Sequence, residues 1–174
     1  MRQFVAAWRD YTPARLTRLA AATPPGHTRA VKHRGGDGSE AAITRLRAIC
    51  AALPDAVERS SHGSPAWFAG RASRSRAFAT LDDHHHGAEH LSVWLPQEPG
   101  AQVALVELDP ARFFRPPYVG TRGWVGVVLD GDPDWDVVAR LVRDAYVHVA
   151  SPKLRAALAA EGAVAAGGRS PRRR

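Results

Sequence analysis

Apolar residues along this chain of 174 residues recur with two different periods. Between 40 and 53, and again between 133 and 150, they return every three or four positions, which is the spacing of one helical face. Between 57 and 95, short apolar runs alternate with polar residues and are separated by Gly, Ser and Pro. That alternation is typical of strands joined by turns. The pattern therefore predicts two main helices on either side of a set of short strands.

The strands are predicted at 57–61, 66–70, 76–81 and 91–95, and their short connections favour an antiparallel meander. Ser39 is expected to cap the first helix. A shorter helix is predicted over 101–108, with Val103, Ala104 and Leu108 facing inward.

The stretch 113–135 is the most informative one. Pro116 and Pro117 exclude a helix there, and the apolar run 124–129 presents apolar side chains on both faces. Such a run indicates a strand inside a sheet rather than at its edge. Asp132 and Pro133 then have the residue types of an N-cap and a first helical position.

A series of short motifs resembles the MmcQ/YjbR family over roughly residues 40–154. The motifs are CAALPDAVE, SSHGSPAWFAG, RAFATLDD, LSVWLP, FFRPPYVGTRGWVGVVLD and the helix WDVVARLVRDAYVHVAS. The resemblance implies an α/β (α+β) domain with a frataxin-like (CyaY-like) topology, in which N- and C-terminal helices pack on an antiparallel sheet of about five strands. Members of the family are often described as DNA-binding, so the resemblance also implies a small, non-enzymatic DNA-binding protein.

The positive charge lies at the two ends of the chain. The net charge is +7, with +5 in residues 1–39, +5 in residues 152–174 and −3 in residues 40–151. The ends are also rich in Gly, Pro or Ala and lack apolar periodicity. We therefore predict a flexible basic N-terminal extension over 1–38, the domain over 39–158 and a disordered Arg-rich tail over 159–174.

Composition limits the compartment and the partners. No run of 18 apolar residues is present, which argues against a membrane span. Cys50 is the single cysteine and lies on the apolar face of the first helix, which predicts a buried, inert thiol and no internal disulfide. We expect a cytoplasmic monomer without a cofactor.

Two groups of basic residues could contact DNA. Because the guanidinium fork binds two phosphate oxygens at once, arginines at hairpin tips suit contact with a nucleic-acid backbone. One group follows the second strand and the other surrounds the two prolines; their members are Arg71, Arg74, Arg76, Arg112, Arg115, Tyr118 and Arg122.

A small-molecule or metal-binding module remains the alternative function. The run DDHHHGAEH offers His84, His86 and His90 as metal ligands, although a solvated hairpin tip explains the same run. His62 lies among serines, but the chain has no G-x-S-x-G motif, so a turn residue is favoured over a catalytic base. No catalytic residue is predicted.

Overall fold

The computed structural model describes residues 37–83 and 90–167, which form a six-stranded antiparallel sheet and four α-helices. In chain order the elements are α1 (Asp37–Ala51), β1 (Ala56–Ser61), β2 (Ser64–Ala69), β3 (Ala77–Asp83), β4 (Leu91–Pro96), α2 (Ala101–Leu108), β5 (Phe113–Phe114), a 3₁₀ helix (Gly120–Arg122), β6 (Trp124–Val128), α3 (Trp135–Val149) and α4 (Pro152–Gly167). The predicted α+β class is confirmed, and the helices and strands predicted from the sequence occur in the expected order. The sequence pattern did not predict β5, the 3₁₀ helix or α4.

The strands lie in the order β1-β2-β3-β4-β6-β5. The first four form the predicted meander, and β6 pairs with β4 on one side and β5 on the other. The interior position predicted from the two-faced apolar run is therefore correct. The sixth strand, β5, has only two residues, which is too short for alternation to reveal.

The core lies between the sheet and helices α1 and α3. Leu81, Val93 and Val127 stand opposite one another on β3, β4 and β6, and none is more than 3% exposed. Helix α3 contacts β3 and β4 and also contacts α1. Its buried face follows the predicted spacing and consists of Val138, Leu141, Val142, Ala145 and Tyr146.

Helices α1 and α3 each begin at a different residue from the one predicted. Helix α1 starts at Asp37, so Ser39 lies inside its first turn. Helix α3 is capped by Asp134, whose Oδ1 accepts hydrogen bonds from the backbone N of Asp136 (3.0 Å) and Val137 (3.2 Å). The chain first turns through left-handed geometry at 131–132, where Asp132 has a φ of +60°. Asp132 is therefore not the cap, and Pro133 precedes the cap instead of following it.

The inward face predicted for α2 is wrong. Val103 and Leu108 are 40% and 44% exposed, whereas Ala101, Gln102 and Leu105 are buried. Gln102 can be buried although it is polar, because its Nε2 donates to two carbonyl oxygens, those of Gly120 (2.7 Å) and Trp124. These hydrogen bonds tie α2 to the start of β6.

The predicted ends lie mostly outside the described residues. Residues 1–36 and 168–174 belong to that part of the chain, so the extension and the tail remain predictions. The boundary predicted at 158 falls within α4, which continues to Gly167 and buries Leu154 and Leu158. In the part of the chain that the structure describes, no helix combines the length and apolar character needed to cross a membrane.

Candidate functional site

The loop between β2 and β3, residues 70–76, is here called the first basic loop. Arg71, Arg74 and Arg76 are all exposed on it, as predicted. Arg71 Nε lies 3.6 Å from Asp55 Oδ1, but both side chains are more than half exposed, so this ion pair adds little rigidity.

Arg59 holds the first basic loop in place, although no sequence pattern marks it as a functional residue. Its Nη2 donates to the backbone carbonyl oxygens of Gly70 (3.2 Å), Arg71 (2.8 Å) and Ala72 (3.1 Å). Its guanidinium carbon also lies 4.8 Å from the ring centroid of Phe68. A charged donor that serves three carbonyls fixes the path of the loop and turns its remaining side chains outward.

The loop between β5 and β6, residues 115–123, is here called the second basic loop. Val119 N donates to the Pro117 carbonyl oxygen at 2.7 Å, and Tyr118 between them has a φ of +63°. These are features of the strained γ-turn, which bulky residues rarely occupy. The turn presents Tyr118 with 76% of its surface exposed, and Arg115 and Arg122 beside it are exposed as well.

Arg112 does not belong with the second basic loop. Its carbonyl oxygen accepts from Val128 N, at the far end of β6 from Trp124. Its Nε lies 3.5 Å from Asp109 Oδ2 within the same turn of chain. The predicted second group is therefore divided, with Arg112 at one end of β5 and Arg115, Tyr118 and Arg122 at the other.

The antiparallel register places both basic loops at the same end of the sheet. Pro96, the last residue of β4, pairs with Trp124, the first residue of β6. Since β3 and β4 are also antiparallel, the start of β3 lies at this end too. The first basic loop joins β2 and β3 and the second joins β5 and β6, so in this strand order the centres of the two loops are about three strand spacings apart, or roughly 14 Å.

A cavity of about 460 Å³ opens on the sheet beside the second basic loop. Of the residues lining it, none comes from α1 or α3, so it lies on the face that these helices leave uncovered. Thr80 and Trp94, which pair across β3 and β4, lie on this face. The cavity is also lined by Asp82 and Trp124 on the sheet, by His62 from the β1–β2 turn, and by Tyr118 and Arg122 from the second basic loop.

His62 is a turn residue, as the sequence indicated. Ser61 pairs with Ser64, which leaves His62 and Gly63 as a two-residue hairpin turn with φ values of +53° and +85°. Positive φ at both positions is what the type I′ turn requires. The Ser61 Oγ and His62 Nδ1 atoms are 3.1 Å apart and both groups line the cavity.

The histidine run can be placed only in part. His84 and His86 lie outside the described residues, whereas His90 is exposed and its Nδ1 lies 3.6 Å from Asp130 Oδ2. The same carboxylate oxygen accepts from Leu91 N at 2.9 Å. Among the residues that the structure describes, no three His, Cys, Asp or Glu side chains converge as a metal site would need.

Cys50 is fully buried, as predicted. Burial, and secondarily the nearby Glu58 carboxylate, raises the pKa of its thiol well above the usual range. A thiol that stays protonated is a poor nucleophile, so Cys50 is a packing residue.

Comparison with known proteins agrees with the fold described above. The YjbR family model matches residues 51–148, more than half of the chain. The chain belongs to the YjbR family. The crystal structure of Deinococcus radiodurans protein DR2400, described as a DUF419 family-model domain, has a similar fold. The TM-score is 0.56 at 24% identity, over 67% of this chain and 87% of that one. No curated protein matches the sequence significantly.

Proposed function

We propose that this YjbR domain binds duplex DNA weakly and without sequence specificity, through the end of the sheet that carries the two basic loops. The observation that supports the proposal is the shared end of the sheet: two loops that are distant in sequence, residues 70–76 and 115–123, present exposed arginines at the same end. Arg74, Arg76, Arg115 and Arg122 are exposed there. Guanidinium groups at this spacing can contact separate phosphates of one duplex.

Charge sets the expected strength of this binding. Residues 40–151 carry a net charge of −3, and Asp55 lies beside Arg71 at the same end of the sheet. Affinity should therefore fall in the range of non-specific binding, about 10⁻⁴ to 10⁻⁶ M, and decrease steeply as salt rises. The loops offer phosphate contacts rather than a helix directed at base edges, so we expect little dependence on DNA sequence.

The test compares two variants of the full-length chain that lose the same charge. One replaces Arg71, Arg74 and Arg76 with Ala, and the other replaces Arg172, Arg173 and Arg174 with Ala. Binding to a fluorescently labelled duplex is measured by anisotropy from 20 to 200 mM salt. We expect the loop variant to bind more weakly and its log–log salt slope to fall by about one unit per lost phosphate contact.

The tail variant is the matched control. If it loses as much affinity as the loop variant, or more, DNA is bound by the C-terminal arginines and the proposed surface is wrong. A wild-type chain that does not bind duplex at 20 mM salt overturns the proposal altogether.

The cavity favours a second candidate function, binding of a small molecule. Its volume of about 460 Å³ lies within the range of small-molecule sites, about 300 to 1,000 Å³. The two functions are compatible, because the second basic loop contributes both to the basic end of the sheet and to the cavity wall.

A further inference from the structure

We propose that the cavity is a nucleotide site, in which a single base stacks on aromatic side chains while Arg122 holds its phosphate. The inference goes beyond duplex contact, because a free mononucleotide would fill the site without engaging the first basic loop.

Aromatic side chains form much of the wall. Trp94 lines the cavity from β4 with 7% of its surface exposed, and its indole Nε1 already donates to Ser92 Oγ at 3.1 Å. Trp94 therefore presents part of an aromatic ring to the cavity rather than a hydrogen-bond donor. Trp124 lies half-buried beside it, and Tyr118 closes the side formed by the second basic loop. Rings arranged around a cavity suit a planar heterocycle, since stacking of a base on an aromatic side chain is strong and tolerates every base.

Two ring-bearing residues of the wall have left-handed backbone geometry. Tyr118 has a φ of +63° and His62 a φ of +53°, and they reach the cavity from different loops. The hairpin turn explains the geometry of His62, whereas glycine would occupy the γ-turn of Tyr118 at lower backbone cost. Strained backbone that persists beside a cavity is typical of a binding site, because the strain presets a side chain for its ligand.

The polar groups of the cavity divide into two sets. Arg122 ends the 3₁₀ helix and is exposed at the side of the second basic loop, where it can reach a phosphate. Asp82, only 2% exposed, and Thr80 line the sheet side. A carboxyl group accepts hydrogen bonds from the exocyclic amino groups and ring N–H of bases, and a hydroxyl can donate or accept. The separation of cationic and base-reading groups matches the two ends of a nucleotide.

This chemistry has two possible sources, a free nucleoside monophosphate or an unpaired nucleotide within a DNA strand. Arg122 and Tyr118 lie on the second basic loop and line the cavity as well, so a strand lying along that loop could place one of its bases inside. Both sources present the same base and phosphate, and the experiment separates them.

Isothermal titration calorimetry and tryptophan fluorescence measure the binding of the four common deoxynucleoside 5′-monophosphates to the full-length chain. We expect saturable binding and quenching of fluorescence, because Trp94 and Trp124 are two of the five tryptophans of the chain. Inorganic phosphate alone should bind at least tenfold more weakly than the nucleotides. Equal affinity for inorganic phosphate, or no binding of any nucleotide up to 2 mM, overturns the proposal.

Tyr118→Gly separates a binding role from a structural one. Glycine relieves the positive φ, so the melting temperature should stay the same or rise, whereas nucleotide affinity should fall about tenfold as one stacking surface is lost. Asp132→Gly is the matched control, because Asp132 also has a positive φ (+60°), is exposed and does not line the cavity. It should gain similar stability and keep its affinity. If Tyr118→Gly keeps wild-type affinity, or Asp132→Gly loses as much affinity as Tyr118→Gly, the assignment is wrong.

Arg122→Gln tests the phosphate end. It should weaken binding of the monophosphates about tenfold and leave the much weaker binding of the matching nucleosides unchanged. An equal loss for nucleotide and nucleoside would contradict the role of Arg122.

Three further ligands identify the source of the nucleotide: a 6-mer single strand, a paired duplex and a duplex with one unpaired base. Stronger binding of the single strand and the unpaired base than of the monophosphate identifies a strand as the source, whereas the reverse order identifies the free nucleotide. Binding of the paired duplex without binding of any nucleotide overturns the nucleotide site and leaves the proposed duplex binding intact. Binding of nucleotides without binding of the duplex overturns the proposed duplex binding and supports the nucleotide site.

Discussion

The ring of Phe114 lies over Gly126 where the side chain of residue 126 would otherwise stand. The two residues pair across β5 and β6, and a Cβ built on Gly126 would come within 2.6 Å of Phe114 Cε2. The absent side chain lets the shortest strand of the sheet place its ring directly on the backbone of its neighbour. Beyond Phe114 the chain enters the second basic loop, so this contact also positions the candidate site.

Gly126→Ala should therefore destabilise the domain by about 1–3 kcal/mol, as overpacking of a filled site does. In a Phe114→Ala background the added methyl group has room, and the same substitution should cost nothing or stabilise slightly, because alanine is better than glycine in a strand. Urea denaturation of the four chains of this double-mutant cycle measures the coupling. An identical cost of Gly126→Ala in both backgrounds would show that Phe114 is not the obstacle.

Tyr146 links α3 to the segment after α1. Its hydroxyl donates to the Pro54 carbonyl oxygen at 2.6 Å, and its buried ring meets the Phe78 ring edge-on with centroids 5.3 Å apart. Tyr146→Phe keeps the ring and loses the hydrogen bond, so we expect a loss of about 1 kcal/mol in the free energy of unfolding. Tyr118→Phe, on an exposed tyrosine, should change it by less than about 0.5 kcal/mol. Equal losses in the two variants, measured by urea denaturation, would be inconsistent with this role.

Stability should decrease at alkaline pH because of Cys50. Burial raises the pKa of its thiol in the folded state, so between the unfolded and folded pKa values the unfolded state binds fewer protons. The contribution of the protonated thiol to the free energy of unfolding is fully present below about pH 8.5, where an unfolded thiol is protonated. Above that pH it falls by up to about 1.4 kcal/mol per pH unit. Cys50→Ala should show a shallower decrease between pH 8.5 and 10 in urea denaturation. Parallel profiles for the two chains would rule out the thiol as the cause.

Arg59 should control access to the first basic loop. Arg59→Ala removes the donor that three loop carbonyls share. If the free energy of local opening of the loop falls by about 1.4 kcal/mol, the opened conformation becomes tenfold more populated. Limited trypsin digestion reads this directly, because Arg71, Arg74 and Arg76 are cleavage sites within the loop. Arg47→Ala is the control: it removes the same charge from an exposed pair with Glu58, at 3.2 Å, and does not touch the loop. Cleavage at the loop that is equally fast in both variants would argue against an anchoring role.

Much of the fold could be predicted from the sequence because periodicity reports burial of a whole face. The spacing on α3 identified Val138, Leu141, Val142 and Ala145, and the two-faced run at 124–129 identified an interior strand. Helix ends were less accurate, since both Asp132 and Asp134 have the residue type of a cap and only the backbone geometry selects Asp134. The buried Gln102 was missed because its two acceptors come from residues 18 and 22 positions away.

The sequence by itself determined that exposed arginines lie in two loops, because charged residues between apolar runs remain in solvent. Only the tertiary structure decided which of them lie together: the strand order and register bring the first basic loop beside Arg115 and Arg122 and leave Arg112 at the other end of β5. The cavity likewise could not be found in the sequence. Its wall joins His62, Asp82, Trp94 and Tyr118, which are separated by up to 56 positions and meet only through strand pairing and a γ-turn. Local periodicity records which side chains are buried, whereas the composition of a surface depends on contacts distant in sequence that no local pattern encodes.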